Sequence, residues 1–460
     1  MEKSLFNVIV PLKNEDALIY NSISKAIVRI QKSDRKDYEN NDFSDSFYPT
    51  WLLLKQHYML TQSAYAQKDA LETSDKKSKK LNNHHLSLTL MMSESCNFAC
   101  SYCNQGLNKN HTKLSKETVV NVCNYIESQK TLKSVHISWY GGEPLLSFDL
   151  IKEYSYLLQQ TVKQNQLKYD ANIITNGYFL TSYRAKQLVK FGVSIAQVTL
   201  DGDKVSHDKI RFSKADQSSY DIIMSNIEDV LNETKLHIVL RVNVTLNNID
   251  NLYHLVDDIN DRGIQDKNIS IYFASVYDPQ LSNINDAMDV TGDLVTPNRA
   301  YALKELDLLK YADRIGLNVA LDIDEHEGDC LVTRSNSFAI SPDGNLFKCY
   351  IPITNKDYSV GHTTHMLDAF SNELFQKWDS WSAFKHKGCK QCKLLGSCRG
   401  GCPLHFVSED HKDLGSHCPT SKYAFNEHLF RRALKLGIVS DDDWDLKLSK
   451  THQKNLSFHL

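Results

Sequence analysis

The sequence predicts an α/β fold: a partial (β/α)6 barrel, preceded by a small α+β N-terminal domain and followed by a cysteine-rich C-terminal extension. Three observations predict it. From Leu86 onward, six apolar β-rich runs alternate with helical periods, the pattern of a parallel sheet covered by helices. Turn-forming glycine motifs follow successive runs. The eleven cysteines are distributed unevenly, three of them close together after the first run and seven beyond the last. At 460 residues and 41% hydrophobic content, the chain is long enough for two or three domains with sizeable cores.

In order, residues 1–65 open with the apolar runs Phe6–Leu12 and Ala17–Tyr20 around Lys-Asn-Glu-Asp, a strand pair joined by a polar turn. Helical patches are expected at Ser22–Gln31 and Tyr48–Gln62. Residues 66–85, dense in Lys, Asp, Ser and Asn, read as a solvated charged linker. Residues 86–323 are the barrel. Its strands are expected at Leu86–Met92, Val135–Tyr140, Ala171–Thr175, Ile195–Leu200, Ile238–Val244 and Ile269–Val276. Its helices are expected at Ser115–Gln129, Asp149–Asn165, Thr181–Phe191, Tyr220–Glu233 and Ile249–Arg262. Six strands are fewer than the eight that close a barrel, so a lateral mouth is expected, with active groups at the C-terminal strand ends. Residues 324–439 form the extension, and 440–460 a surface tail without a functional cue.

The formal net charge of −3 gives no reason to expect a nucleic-acid partner. No basic start leads into an apolar core, and no run approaches the roughly 20 apolar residues of a membrane span. A cytoplasmic location is therefore expected, where cysteines serve as metal ligands more often than as disulfides.

The chemistry sits at the strand ends. Cys96, Cys100 and Cys103, spaced Cys-x3-Cys-x2-Cys, follow the first strand, in a loop that can curl three thiols onto one metal centre. Three thiolates would leave one iron of a 4Fe–4S cluster open to a small molecule; structural zinc is the competing reading. Gly141-Gly142-Glu143-Pro144 follows the second strand, Thr175-Asn176-Gly177 the third and Thr199-Leu200-Asp201-Gly202 the fourth. Each is weak alone; their placement at successive strand ends is what singles them out.

With these motifs, the chain resembles the radical S-adenosylmethionine (SAM) enzymes, including the aromatic Tyr102 before the last cysteine of the loop. The resemblance implies that Cys96, Cys100 and Cys103 hold a 4Fe–4S cluster whose open iron takes SAM. It implies SAM-binding roles for Gly141, Gly142 and Glu143 at the amino group, and for Thr199 and Arg211 at the ribose and carboxylate. Asn176 is a turn residue near the same pocket.

The seven late cysteines are Cys330, Cys349, Cys389, Cys392, Cys398, Cys402 and Cys418. Ser341-Pro342-Asp343-Gly344 is a turn signature between two apolar runs, which puts Cys349 on the return strand of a hairpin. Seven thiols fit two clusters better than two four-ligand zinc sites. The array resembles the SPASM extension of radical SAM enzymes that modify peptides and proteins. That resemblance implies an outer 4Fe–4S cluster on Cys389, Cys392, Cys398 and Cys418. It also implies an inner one on Cys330, Cys349 and Cys402, whose fourth ligand is open. Cys123, inside a helical period, is expected to be a small buried residue.

Together these readings predict an oxidoreductase with three 4Fe–4S clusters and SAM, acting as a peptide maturase. Such an enzyme cleaves SAM to a 5′-deoxyadenosyl radical, abstracts hydrogen from a ribosomally synthesised precursor and installs a thioether, C–C or C–O crosslink. Its expected partners are a precursor with a leader sequence, held by a winged-helix-like N-terminal module through strand addition, and a flavodoxin- or ferredoxin-type one-electron reductant. The alternative is an anaerobic sulfatase-maturating enzyme forming formylglycine. A non-catalytic iron–sulfur carrier or a zinc-binding protein is the remote third. No general base has a diagnostic spacing.

Overall fold

The computed structural model describes residues 1–45, 48–81, 84–100, 102–103, 105, 111–212, 218–276, 299–319, 330–407 and 418–444. The expected boundary at 323/324 and the tail beyond Trp444 lie outside these residues.

The N-terminal part is a three-stranded antiparallel sheet followed by helices. Strand β1 (Glu2–Lys3) precedes β2 (Asn7–Pro11), β3 (Ala17–Asn21) and β4 (Ile27–Ile30), which pair in that order. Helices α1 (Lys32–Glu39) and α2 (Pro49–Gln56) follow, then β5 (Leu60–Thr61), antiparallel to β1, and α3 (Ala64–Leu81). The hairpin β2–β3 is the expected strand pair. Ser22–Gln31 is not helical, however. Ile27-Val28-Arg29-Ile30 is β-branched at three of four positions, and as β4 it buries Val28 and Ile30 against Ile19, Trp51 and Leu54. The expected linker is also corrected: α3 runs through most of it as one 18-residue helix. Leu71 anchors that helix beside Phe6 and Phe384. Among its charged residues, Asp69, Lys76 and Lys77 mark a helix's solvent side, which composition alone does not distinguish from a coil.

The six expected barrel strands are present as β6 (His85–Met91), β7 (Ser134–Tyr140), β8 (Lys168–Thr175), β9 (Val193–Leu200), β10 (His237–Val244) and β11 (Ile269–Ser275). They pair in sequence order, all parallel. The intervening helices are α4 (Lys116–Ser128), α5 (Phe148–Gln164), α6 (Ser182–Lys190), α7 (Lys204–Ile210), α8 (Ser219–Glu233) and α9 (Leu252–Asp261). Leu86, Leu88 and Leu90 of β6 and their counterparts on the other strands form one core with these helices. Alternation sends every second residue to the other face, toward the barrel interior.

The sheet extends beyond the six strands that the sequence pattern marks. After α10 (Arg299–Arg314), β12 (Ser337–Ile340) adds parallel to β6, and β13 (Asn345–Phe347) and β14 (Ser359–His362) follow antiparallel. This hairpin covers the edge of β6, which would otherwise present unpaired backbone groups. Cys349 lies two residues past β13, just beyond the return strand. Short helices α11 (Glu373–Asp379), α12 (Lys387–Lys390), α13 (Leu395–Cys398) and α14 (Leu404–Val407) lead to the amphipathic α15 (Phe425–Lys435). Among the described residues no helix is long and apolar enough to cross a membrane.

The N-terminal sheet packs on the C-terminal segment. Val8, Val10, Leu18 and Tyr20 share a cluster with Cys392, Leu394, Phe425, Leu429 and Phe430. Ser22 Oγ donates to Lys393 O (2.6 Å) and accepts from Gly396 N (3.2 Å). The start of the expected surface tail is also engaged. Asp443 accepts from both Arg29 Nη atoms (3.0 and 2.9 Å), and Trp444 stacks on Phe430. A Cβ on Gly396 would stand 2.7 Å from Ser22 C, O and Oγ. Gly396→Ala is therefore predicted to destabilise the fold by about 1–3 kcal/mol, read as a lower denaturation midpoint. An unchanged midpoint would refute this contact.

Candidate active site at the C-terminal strand ends

The loop that leaves β6 at Met92 carries Cys96, Cys100 and Cys103. Cys100 is buried and the other two are half-buried. The Cys96 and Cys103 thiols are close enough to act electrostatically on Cys100. Burial pushes the Cys100 thiol up to about 11, against the pull of Arg211.

The next strand end holds this loop in place. Gly142 N donates to Ser93 O and Glu143 N to Ser95 O, both at 2.9 Å. Gly141 has φ +142°, and a Cβ there would lie 2.5 Å from Ser93 O; one on Gly142 would strike Glu94 O and Ser95 O. The two glycines are thus required by the close approach of two backbones. The Glu143 carboxylate turns inward, accepting from Leu145 N (2.9 Å), Thr175 Oγ1 (2.8 Å) and Asn176 N (2.8 Å). Burial raises its pKa against these donors. Asn176 donates to Asn97 Oδ1 (2.7 Å) and its amide nitrogen lies 3.9 Å from Cys96 Sγ. The ends of β6, β7 and β8 are therefore tied into one unit.

A second unit lies beneath the last cysteine. The Tyr102 hydroxyl donates to the buried Asp201 carboxylate (2.6 Å) and accepts from Arg211 Nη1 (2.8 Å) and Asn243 Nδ2 (3.0 Å). Arg211 Nε stands 3.3 Å from Asp201 Oδ2, and the guanidinium lies over the Phe98 ring. Burial pushes the Asp201 carboxyl above its ordinary range, opposed by Arg211. Asp203 caps α7 by accepting from Ser206 N (3.1 Å), which helps to place Arg211 just past that helix.

Thr199 lies between Val198 and Leu200, which face the helices, so it faces the barrel interior. It pairs in register with Arg241. Arg241 donates from Nε to Asn243 Oδ1 (3.0 Å) and packs near the Tyr272 ring, whose hydroxyl donates to Gln197 Oε1 (3.0 Å). Met91, Tyr140, Ala339 and Phe347 form an apolar cluster on this face, and the Tyr350 ring packs on Tyr140 at 5.2 Å.

The structure brings the seven late cysteines into two sets. Cys330 and Cys402 both act on the buried Cys349. Cys389, Cys392, Cys398 and Cys418 line one pocket together with Lys422. Burial pushes Cys389 up to about 12 and Cys398 up to about 11. Burial also works against the charge on Lys422, but Cys392 and Cys418 outweigh it and hold the ammonium above its usual range. Ten thiols thus fall into sets of three, three and four, and Cys123 is buried in α4, as expected of a small core residue. Among the described residues no three His, Cys, Asp or Glu side chains close to the spacing of ligands sharing one metal ion. Sets made up of thiols alone have the donor chemistry of iron–sulfur clusters.

Comparison with known proteins agrees with this geometry. Residues 90–269 match the family model of the radical SAM superfamily. The chain carries a radical SAM domain. Proteins of this superfamily are enzymes that bind a 4Fe–4S cluster and SAM. The radical SAM cyclopropyl synthase TigE of Paramaledivibacter caminithermalis is 24% identical over 340 residues, 68% of this chain and 67% of that protein. A cysteine-type anaerobic sulfatase-maturating enzyme of Clostridium novyi is 23% identical over 67% of this chain and 85% of its own. The solved structure of anSMEcpe with bound AdoMet and the Cp18Cys peptide has a TM-score of 0.60 at 18% identity, covering 77% of this chain and 99% of that one. Streptococcus suis SuiB bound to precursor peptide SuiA has a TM-score of 0.51 at 14% identity, covering 89% and 97%. At these identities the structural likeness establishes the fold.

Asp201, Arg241 and Asn243 at the barrel strand ends, and Tyr350 just past β13, escaped sequence reasoning as site residues. Asp201 had a signal in its Thr-x-Asp-Gly turn. Asn243 had one in its place near the end of the fifth barrel strand. Two substitutions test the geometry. Gly142→Ala should lower stability by about 1–3 kcal/mol and expose the cysteine loop to protease; retention of wild-type protease resistance would contradict the tight backbone contact. Asp201→Asn leaves the Arg211 guanidinium buried without its counter-charge. It should cost about 3–5 kcal/mol, measured by chemical denaturation, and an unchanged midpoint would show that the pair carries no such weight.

Proposed function

We propose that this protein is a radical SAM peptide maturase that installs an oxidative crosslink in a ribosomally synthesised precursor. The observation that carries this reading is the gathering of the late cysteines into a set of four and a set of three. The set of three adjoins the barrel interior through Tyr350 and Tyr140. Cys96, Cys100 and Cys103 would hold the cluster that engages SAM. Cys389, Cys392, Cys398 and Cys418 would hold an outer cluster. Cys330, Cys349 and Cys402 would hold an inner one. When bound, SAM would supply a 5′-deoxyadenosyl radical and the clusters one-electron transfer.

The chain's own residues bind, orient and exclude water. Gly141, Gly142, Glu143 and Asn176 shape the SAM side of the cysteine loop, with Glu143 acting through the turn that it buttresses. Thr199 would serve the ribose of SAM and Arg211 its carboxylate, with Asp201 and Tyr102 holding the Arg211 guanidinium in place. The apolar cluster of Met91, Tyr140 and Phe347 keeps water from the interior, where a carbon radical must persist long enough to form a bond. The precursor leader would add to the N-terminal sheet. Among the described residues neither edge strand, β2 or β4, pairs with a further strand. A flavodoxin- or ferredoxin-type carrier would supply electrons.

The likeness to a sulfatase-maturating enzyme favours a second reading, formylglycine formation. The two readings are separated by product. With a candidate precursor, a crosslink appears as loss of a hydrogen pair without a reactive aldehyde, whereas formylglycine gives an aldehyde that a hydrazide captures. Anaerobically reconstituted protein should hold about twelve irons per chain. Replacing Cys96, Cys100 and Cys103 together with Ala should remove about four of them and abolish reductive SAM cleavage. Cleavage that survives the triple change would refute the assignment of the first cluster.

A further inference from the structure

Lys422 is a half-buried cation that none of the roles above uses. It stands one helical turn past Cys418, where Lys422 N donates to Pro419 O (3.0 Å) and curls the chain back on itself. Its Nζ lies 3.1 Å from Cys418 Sγ, within the reach of a hydrogen bond to sulfur. It lines the same pocket as Cys389, Cys392 and Cys398. Among the described residues, Lys422 is the cation that acts on both Cys389 and Cys392, beside cysteines of the same set. Arg299, Arg431 and Lys435, further along the same surface, are engaged by Glu427 and Asp313.

We propose that Lys422 sets the reduction potential of the outer cluster, raising it through its charge and its N–H donation to the Cys418 sulfur. The proposal rests on the reading of Cys389, Cys392, Cys398 and Cys418 as the ligands of a 4Fe–4S cluster. A cluster on four thiolates becomes more negative by one charge when it accepts an electron, and no bond is made or broken. A cation in contact with one of the thiolates therefore stabilises the reduced form more than the oxidised form. Hydrogen bonds to ligand sulfur act in the same direction. The apolar side chains of Leu394, Leu395 and Pro419 line the same pocket, and apolar surroundings strengthen a charge–sulfur contact. An outer cluster of raised potential suits an electron acceptor for an oxidative reaction, which later passes its electron to a one-electron carrier of the flavodoxin or ferredoxin type.

The test uses full-length protein, reconstituted anaerobically and carrying Lys422→Met, Lys422→Gln or Lys422→Arg. Iron content and an EPR-monitored redox titration are measured for each. Lys422→Met should keep its iron and shift one midpoint potential downward while the others stay in place. Lys422→Gln, which keeps a donor without the charge, should shift the same midpoint less, and Lys422→Arg should remain near wild type. Unmoved midpoints in iron-replete Met and Gln variants would overturn the proposal. So would loss of about four irons from both variants with the remaining potentials unmoved, since Lys422 would then be a structural support. The underlying cluster reading fails separately, if Cys389→Ala with Cys392→Ala leaves the iron content of the wild-type chain unchanged.

Discussion

The site depends on the contact between two pieces of backbone, Gly141–Glu143 and Ser93–Ser95. Among the described residues of the cysteine loop, 96–100 and 102–103, there is no helix or named strand to hold three thiols at a fixed spacing. The loop borrows order from the neighbouring strand end, whose two N–H groups pair with its carbonyls at a separation that leaves no room for a Cβ. Glu143 then transmits that order to the third strand end by accepting from Thr175 and Asn176. A parallel sheet makes the arrangement possible, because it delivers consecutive loops side by side on one rim.

Charge is managed differently in the two thiol regions at the ends of the molecule. Beside Cys100, the Arg211 cation is neutralised within the protein by Asp201 and shared with the Tyr102 hydroxyl, giving a closed buried network. Beside Cys418, the Lys422 cation is held among the described residues by the sulfurs of Cys392, Cys418 and Cys398. The first arrangement favours a rigid platform; the second sets a cation directly against sulfur.

The N-terminal sheet changes the meaning of the first 81 residues. Its inner face supplies part of the apolar wall behind Cys392, and Ser22 is bonded to the backbone of the Cys392–Cys398 loop. The module is thus built into the enclosure of the outer thiol set, and its sheet edges remain the surface on which a strand could add. Arg29 and Asp443 close the same seam from the other side.

The sequence by itself determined the barrel strands, their order and the grouping of Cys96, Cys100 and Cys103, because each is a local signal. An apolar run of fixed length makes a strand, and thiols a few residues apart meet in one loop. It misjudged Ser22–Gln31 and the charged stretch 66–85, where local composition fits several conformations and packing against Trp51 or Phe384 selects one. It also saw the glycine pair without the reason for it. Only the tertiary structure decided that Gly141 and Gly142 press on the cysteine loop, that Asp201 and Asn243 converge on Tyr102, and that Lys422 touches Cys418. Most of these contacts join residues tens to hundreds of positions apart. Even the four-residue step from Cys418 to Lys422 matters only because α13 and the loop before it bring three other thiols to the same place. Such proximity is set by how the strands and helices stack, and no period or spacing within a single segment encodes it.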